Sequence, residues 1–424
     1  MSLTKEIYKS YCDILKEELR LAMGCTEPIA IAYSASIARS YLTTEPTEIR
    51  IGLSGNIIKN TKSVVVPATG GMHGIAAAVA AGTVANKPEL VLEVLASLTE
   101  DDVPRMKALM ESCPIEIGEL DTTHIFEILI QMKNETENVT VRLLDRHTNL
   151  VYVEKNGEVL VRNEEEEETG GINTDRSLLS VEKIVEFANE VDLEDVRELL
   201  ERQIACNMTI AEEGLKNNYG ACIGKVIYKN GDCSLADKAR AYTAAGSDAR
   251  MNGCELPVCI ISGSGNQGMT ASIPIVVYAR ELGKTEEEML RALVVSDLVT
   301  THLKTGIGCL SAYCGAISAG SGAGAGIAYL QGGGFEEVAH TIVNSLAILS
   351  GTICDGAKSS CAAKIAMAVE SGLLGYEMYR NGQQFYGGDG IISKGVENTI
   401  RNVGQLAREG MAGTDKEIIK IMLE

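Results

Sequence analysis

The chain has 424 residues, 45% apolar and only 4% aromatic, with 43 Gly and no Trp. Its formal net charge of −20, from 58 acidic and 38 basic residues, disfavours nucleic acid and anionic membrane surfaces as partners. Scarce aromatics argue against a strand-rich sandwich, and abundant small residues predict closely packed helices with room for a site. No run is apolar for long enough to cross a membrane, and the N-terminus lacks the apolar stretch of a signal peptide. The twelve cysteines are therefore expected as reduced thiols in the cytoplasm.

In chain order, residues 4–42 predict two helices. Ile7, Tyr11, Ile14 and Leu15 give the first its apolar face. Gly24 interrupts the pattern, and IAIAYSASIARSYL predicts the second, with Thr26 as N-cap and Pro28 in the first turn. Cys25 then stands just before a helix N-terminus, where unpaired N–H groups and the helix dipole stabilise a thiolate. Residues 1–45 are expected to pack on the catalytic domain.

Residues 46–175 read as a smaller α+β domain and its linker. EIRIGLSG, KSVVVPA, THIFEILIQM, ENVTVRLLDR and LVYVEKNGEVLVR predict strands, with an Ala-rich helix, IAAAVAAGTVA, and another near 87–112 among them. Asn156-Gly157 predicts a tight hairpin. The acidic run EEEEETGGINTD, 164–175, is a solvated linker. LSGNIIKN and VPATGGMHG place Asn56, Lys59, Lys62, Thr69 and His73 in glycine-rich turns. His73 is open between an acid, a base or a ligand and a solvated loop histidine.

Beyond 176 the pattern is overwhelmingly helical, with helices expected at 180–202, 205–217, 235–249, 269–282, 285–302, 315–330, 335–349 and 358–372. The expected fold is α+β: a mainly helical catalytic domain, 176–424, with the smaller α+β domain inserted before it. SGSGNQGMTASIP, 262–274, is a glycine-rich turn before a helix. Its N–H groups and the side chains of Ser264, Asn266 and Gln267 suit an anionic group, or simply begin a helix. Lys304, upstream of Cys309, is a candidate for a substrate carboxylate or a cation decorating a helix C-terminus, and His302 lies beside it.

The richest segments are IGCLSAYCGA and GTICDGAKSSC, which carry Cys309, Cys314, Cys354 and Cys361. Asp355-Gly356 argues for a turn between Cys354 and Cys361, so both thiols are expected to project from one loop. Cys309 and Cys314 would face different sides of a continuous helix, so one of them is expected at the site. Three thiolates suit a four-iron cluster with one iron open to substrate; zinc, or small buried thiols with no metal, are the alternatives. Lys358 and Lys364 flank Cys361 and would help neutralise an anionic cluster. No G-x-S-x-G elbow and no H-E-x-x-H occurs.

Taken together, MGCTEPIAIA, SGNIIKN, SGSGNQG, the Gly/Ala-rich stretch after YCGA, and GTICDGAKSSCAAK resemble the L-cysteine desulfidase family, itself related to the iron–sulfur L-serine dehydratases. The resemblance covers nearly the whole chain. It implies a pyridoxal-independent β-elimination from a small amino acid, L-cysteine or L-serine, giving pyruvate and ammonia with sulfide or water. It implies a 4Fe-4S cluster held by Cys314, Cys354 and Cys361, with Cys314 preferred to Cys309 because it begins the Gly/Ala-rich helix. Cys25 matches the residue assigned as base or as occupant of the open iron position, with His73 as the other candidate base. Ser264, Asn266, Gln267, Gly268, Asn56 and Lys304 are the expected substrate contacts. Two departures from the serine dehydratases, the short Cys354–Cys361 spacing and an end reading IIKIMLE without cysteine, favour the desulfidase branch. A homodimer is compatible with the Gly/Ala-rich helices.

Overall fold

The computed structural model describes residues 3–163, 174–229, 233–308 and 311–423. Cys309 and most of the expected acidic linker lie outside the described residues. The helices are α1 (Lys5–Glu18), α2 (Thr26–Ser40), α3 (Gly55–Thr61), α4 (Gly74–Ala85), α5 (Val103–Ser112), α6 (Val181–Glu190), α7 (Arg197–Lys216) and α8 (Ile223–Tyr228). They continue with α9 (Leu235–Met251), α10 (Gly265–Glu281), α11 (Glu286–Ile307), α12 (Gly315–Leu330), α13 (Phe335–Ile348), α14 (Cys361–Arg380), α15 (Val396–Gln405) and α16 (Ala412–Leu423). The strands are β1 (Arg20–Met23), β2 (Glu48–Leu53), β3 (Ile115–Glu119), β4 (Glu127–Lys133), β5 (Asn138–Leu144), β6 (Leu150–Lys155), β7 (Glu158–Arg162) and β8 (Pro257–Ile260). None of the described helices is long and apolar enough to cross a membrane.

The architecture is α+β and mainly helical. Six strands form a mixed sheet in the order β3-β2-β4-β5-β6-β7, parallel only between β2 and β3. Alternation along β2 buries Ile49, Ile51 and Leu53, as a strand with one covered face requires. Asn156 and Gly157, with φ of 53° and 84°, make the tight turn between β6 and β7. KSVVVPA is not a strand: it bends at Pro67 and makes one isolated bridge, Val65 with His73.

The first two helices enter different cores. Tyr11, Ile14 and Leu15 of α1 pack with the helical body, whereas Ile29, Ile31 and Ile37 of α2 pack with β2, β4, β5 and α4. Between them β1, read from the sequence as part of a helix, pairs antiparallel with β8. The GCTEP turn that follows therefore lies where the two cores meet.

In the helical body α12 is central, flanked by α10, α11, α13 and α14, and its residues from Ala316 to Ala328 are buried. Its glycines let backbones touch: Gly320 lies against the Ala368 carbonyl of α14. This close approach brings the N-termini of α12 and α14 to one end of the body. The expected helix at 180–202 breaks at Val191, where Asp192 caps a short turn before α7.

Candidate active site at four converging helix N-termini

Cys314 is the N-cap of α12, and Cys361 is the first residue of α14. A short antiparallel bridge, Tyr313 with Ile353, carries Cys354 past Cys314. The three sulfurs feel one another. Burial pushes the Cys314 thiol up to about 12, and the charges of Cys354 and Cys361 add to that push, opposed by the Ala316 N–H and the Lys364 ammonium. Cys361 is raised by burial too, against the Lys358 backbone and ammonium, and its Sγ lies 3.6 Å from the Gly356 carbonyl.

The loop between Cys354 and Cys361 is held from several sides. Gly356 has φ +93°, and a Cβ there would sit 2.1 Å from the Lys59 carbonyl of α3, so only glycine fits. Ser359 Oγ donates to Asn252 Oδ1 at 2.8 Å. Burial raises the Asp355 carboxyl, but the Lys358 and Lys364 ammoniums outweigh it and hold it at about 2. Lys358 Nζ is 2.5 Å from Asp355, and Lys364 pairs with the same carboxylate. Two cations for one carboxylate leave a net positive charge beside the thiols.

Cys25, the N-cap of α2, joins this group. It forms a small buried cluster with Val64 and Met251, against which Ala357 and Cys361 pack. Burial pushes its thiol up to about 12; the Arg250 guanidinium acts against that by charge and by a side-chain hydrogen bond.

The glycine-rich turn before α10 completes the arrangement. Glu18 accepts from the Ser262 N–H at 2.5 Å, and Thr26 Oγ1 donates to the Gly263 carbonyl at 3.2 Å. These contacts fix the first turn of α10 beside Cys25. Gln267 reaches the start of α12 next to Cys314: a Cβ on Gly315 would meet its amide at 2.7 Å. Its Oε1 is buried with no donor. Asn266 Oδ1 accepts from Arg250 Nη1 at 3.2 Å. The N-termini of α2, α10, α12 and α14 thus meet at one place, where their dipoles favour negative charge.

The other expected contacts fare differently. Ser264 is the N-cap of α10 and accepts from the Gln267 N–H at 3.4 Å. Gly268 donates its N–H to the Ser264 carbonyl, and its missing side chain lets α10 lie on the Cys259 carbonyl of β8. Asn56 lies on α3, one turn before Lys59, with Oδ1 buried and unpartnered. Lys304 is buried within α11 and already has a partner in the protein. His73 stands exposed at the head of α4 with Nδ1 3.1 Å from the Gly71 carbonyl. His302 is committed to Glu397 at 2.7 Å.

Three residues escaped the sequence reading. Arg250 ends an Ala-rich helix and looks there like an ordinary C-terminal cation. Glu27 sits inside GCTEP itself and accepts from Asn60 Nδ2 at 3.1 Å. His147, in the β5–β6 turn, approaches Gly263, and its Nε2 is buried without a partner. Burial lowers its pKa, and the Glu27 carboxylate opposes that. Only the motif containing Glu27 carried a signal that could have found its residue.

Three buried thiols close enough to feel one another's charge are a donor set that fits an iron–sulfur cluster.

Residues 89–420 match the serine dehydratase alpha chain family. A UPF0597 protein of Desulfitobacterium hafniense (strain Y51) is 56% identical, over 98% of this chain and 97% of the relative. UPF0597 proteins of Lachnoclostridium phytofermentans and Treponema denticola are 48% and 45% identical, each over its full length and at least 98% of this chain. The chain belongs to the serine dehydratase alpha chain family.

Proposed function

We propose that this protein is an iron–sulfur-dependent, pyridoxal-independent lyase that eliminates sulfide from L-cysteine. The observation that supports it best is the meeting of Cys314, Cys354 and Cys361 beside Cys25 at the first turn of α10. Cys314, Cys354 and Cys361 would hold a 4Fe-4S cluster. When bound, the cluster supplies a Lewis acid for the departing sulfur or oxygen.

The residues of the chain account for the rest. The α-proton of an amino acid is weakly acidic, so a strong base must meet it in a dry site. Cys25 is buried, its thiolate is a strong base once formed, and Arg250 favours that ionised form. As the thiolate, Cys25 takes the α-proton and becomes the thiol, the electron pair forms the Cα–Cβ double bond, and the Cβ–S bond breaks with its pair on sulfur. The aminoacrylate released tautomerises and hydrolyses to pyruvate and ammonia. The helix N-termini and the Lys358–Lys364 pair stabilise the negative charge that accumulates.

Loss of water from L-serine uses the same residues, and membership of the serine dehydratase alpha chain family favours it as the second reading. The experiment is direct. Anaerobically reconstituted protein is given L-cysteine or L-serine at equal concentration, and pyruvate and sulfide are measured. Higher kcat/KM for cysteine supports the desulfidase reading; higher kcat/KM for serine replaces it with dehydration. No pyruvate from either overturns both.

A further inference from the structure

Arg250 is 3% exposed at the C-terminal end of α9, beside the first turn of α10. Its guanidinium donates a hydrogen bond to a neutral amide oxygen, Asn266 Oδ1, and another to the Cys25 sulfur. Its Nε is buried with no acceptor. Among the described residues no Asp or Glu forms an ion pair with it. A buried guanidinium without a carboxylate is costly, because desolvation of the charge goes uncompensated. Two other buried cations among the described residues do have one: Lys59 pairs with Asp415, and Arg176 with Glu17 and Glu18.

The described surroundings of Arg250 are apolar or neutral and carry no paired carboxylate. A Cβ on Gly265 would lie 2.5 Å from Arg250 Nε, so the glycine leaves the guanidinium face-on to the start of α10. Gln267 and Gly268 spend their N–H groups on Ser264, so the helix dipole and the N–H groups of Gly265 and Asn266 are what the start of α10 offers. Gln267 Oε1, also buried without a partner, stands between this point and Cys314. An ammonium group would satisfy that oxygen.

We propose that Arg250 is the residue that recognises the α-carboxylate of the substrate, so that the site accepts free amino acids and rejects their amides. The fork of a guanidinium matches the two oxygens of a carboxylate, and a neutral carboxamide offers only one acceptor and no charge. With the carboxylate on Arg250, the amino group faces Gln267 and the α-carbon faces Cys25. The inference takes its ligand class from the elimination reading above.

L-Alanine and L-alaninamide test it, since neither carries a leaving group at Cβ. Both are titrated into the anaerobically reconstituted full-length protein. Wild type is expected to bind L-alanine at least roughly tenfold more tightly than the amide, and Arg250→Gln to lose roughly 10- to 100-fold for L-alanine with the amide unchanged. Arg250→Lys should recover part of the loss, because it restores the charge without the fork. An Arg250→Gln protein with wild-type iron content and melting temperature that keeps the full preference overturns the proposal. If that variant does not fold, Arg250→Lys decides: a preference reduced several-fold supports the proposal, and an unchanged one overturns it. Arg250-dependent alanine binding without pyruvate from cysteine or serine upholds Arg250 and sinks the elimination. Pyruvate formation with Arg250-independent binding does the reverse.

Discussion

Cys314 and Cys354 are tied to each other by a reciprocal pair of backbone hydrogen bonds. The Cys314 N–H donates to the Thr352 carbonyl at 3.1 Å, and the Cys354 N–H to the Ala312 carbonyl at 2.6 Å. They flank the Tyr313–Ile353 bridge, and residues on either side of an antiparallel bridge project to the same face. Two thiols forty residues apart in sequence are thereby aimed together by main chain alone. Cys361 returns to the same place because the loop turns sharply at Gly356.

That turn has a measurable consequence. Gly356→Ala adds a methyl group 2.1 Å from the Lys59 carbonyl at a φ of +93°. The expected loss is about 1–3 kcal/mol of stability, with a lower iron content after reconstitution. Gly413→Ala, where a Cβ meets open space, should be neutral. Chemical denaturation of the two variants checks this, and equal stability would contradict the account of the loop.

Cys25→Ala tests whether Cys25 acts as the base or as a ligand. If the three other thiols hold the iron, this variant keeps wild-type iron and sulfide. Its turnover should fall by about 10²–10⁴, the usual contribution of a positioned base. Loss of iron in step with activity would make Cys25 a ligand instead.

Asp297 gives a pH dependence away from the thiols. It accepts from Gln203 Nε2 at 3.0 Å, and burial pushes its carboxyl up to about 7. Its Oδ2 and Gln203 Oε1 are both buried without a donor, and a proton on the carboxyl supplies one. A carboxyl that is less acidic folded than unfolded binds more protons when folded. Its stabilising contribution is therefore present at low pH and lost as pH rises from about 4 to about 7. Asp297→Asn should be near neutral at about pH 4 and more stable than wild type by about 1–3 kcal/mol at about pH 8. Melting curves at both values test the sign; a difference that does not change with pH contradicts it.

The buried pair between Lys59 and Asp415 anchors α16 on α3, the helix that supports the thiol loop. Lys59 Nζ is 2.5 Å from Asp415 Oδ1, and the Lys59 side chain is 1% exposed. Asp415→Ala leaves that ammonium uncompensated, which should cost about 3–5 kcal/mol. Limited proteolysis near residue 411 should accelerate accordingly. Unchanged cleavage and melting temperature would show that α16 does not depend on the pair.

Much of this was legible in the chain. The Asn156-Gly157 turn, most helices of the second half and the pairing of Cys354 with Cys361 in one loop follow from local chemistry. Arg250 was not legible, because its surroundings in ADKARAYTAAGSDARM are those of any helix ending in a cation. Its isolation from carboxylates exists only in three dimensions. The entry of α1 and α2 into different cores was hidden for a similar reason: an apolar face does not say which core it meets, and the strand between them is specified by its partner β8. KSVVVPA misled through β-branched residues that pack in a loop, with Val64 and Val66 buried and no ladder beyond a single bridge.

Iron and acid-labile sulfide in anaerobically reconstituted protein, compared among wild type, Cys314→Ala, Cys354→Ala, Cys361→Ala and Cys206→Ala, test the central claim most directly. The account predicts about four of each per wild-type chain, loss of both together with visible absorption in the first three variants, and wild-type content in Cys206→Ala, whose thiol lies on α7. Wild-type protein that takes up no iron, or iron retained in full by all three site variants, would contradict it.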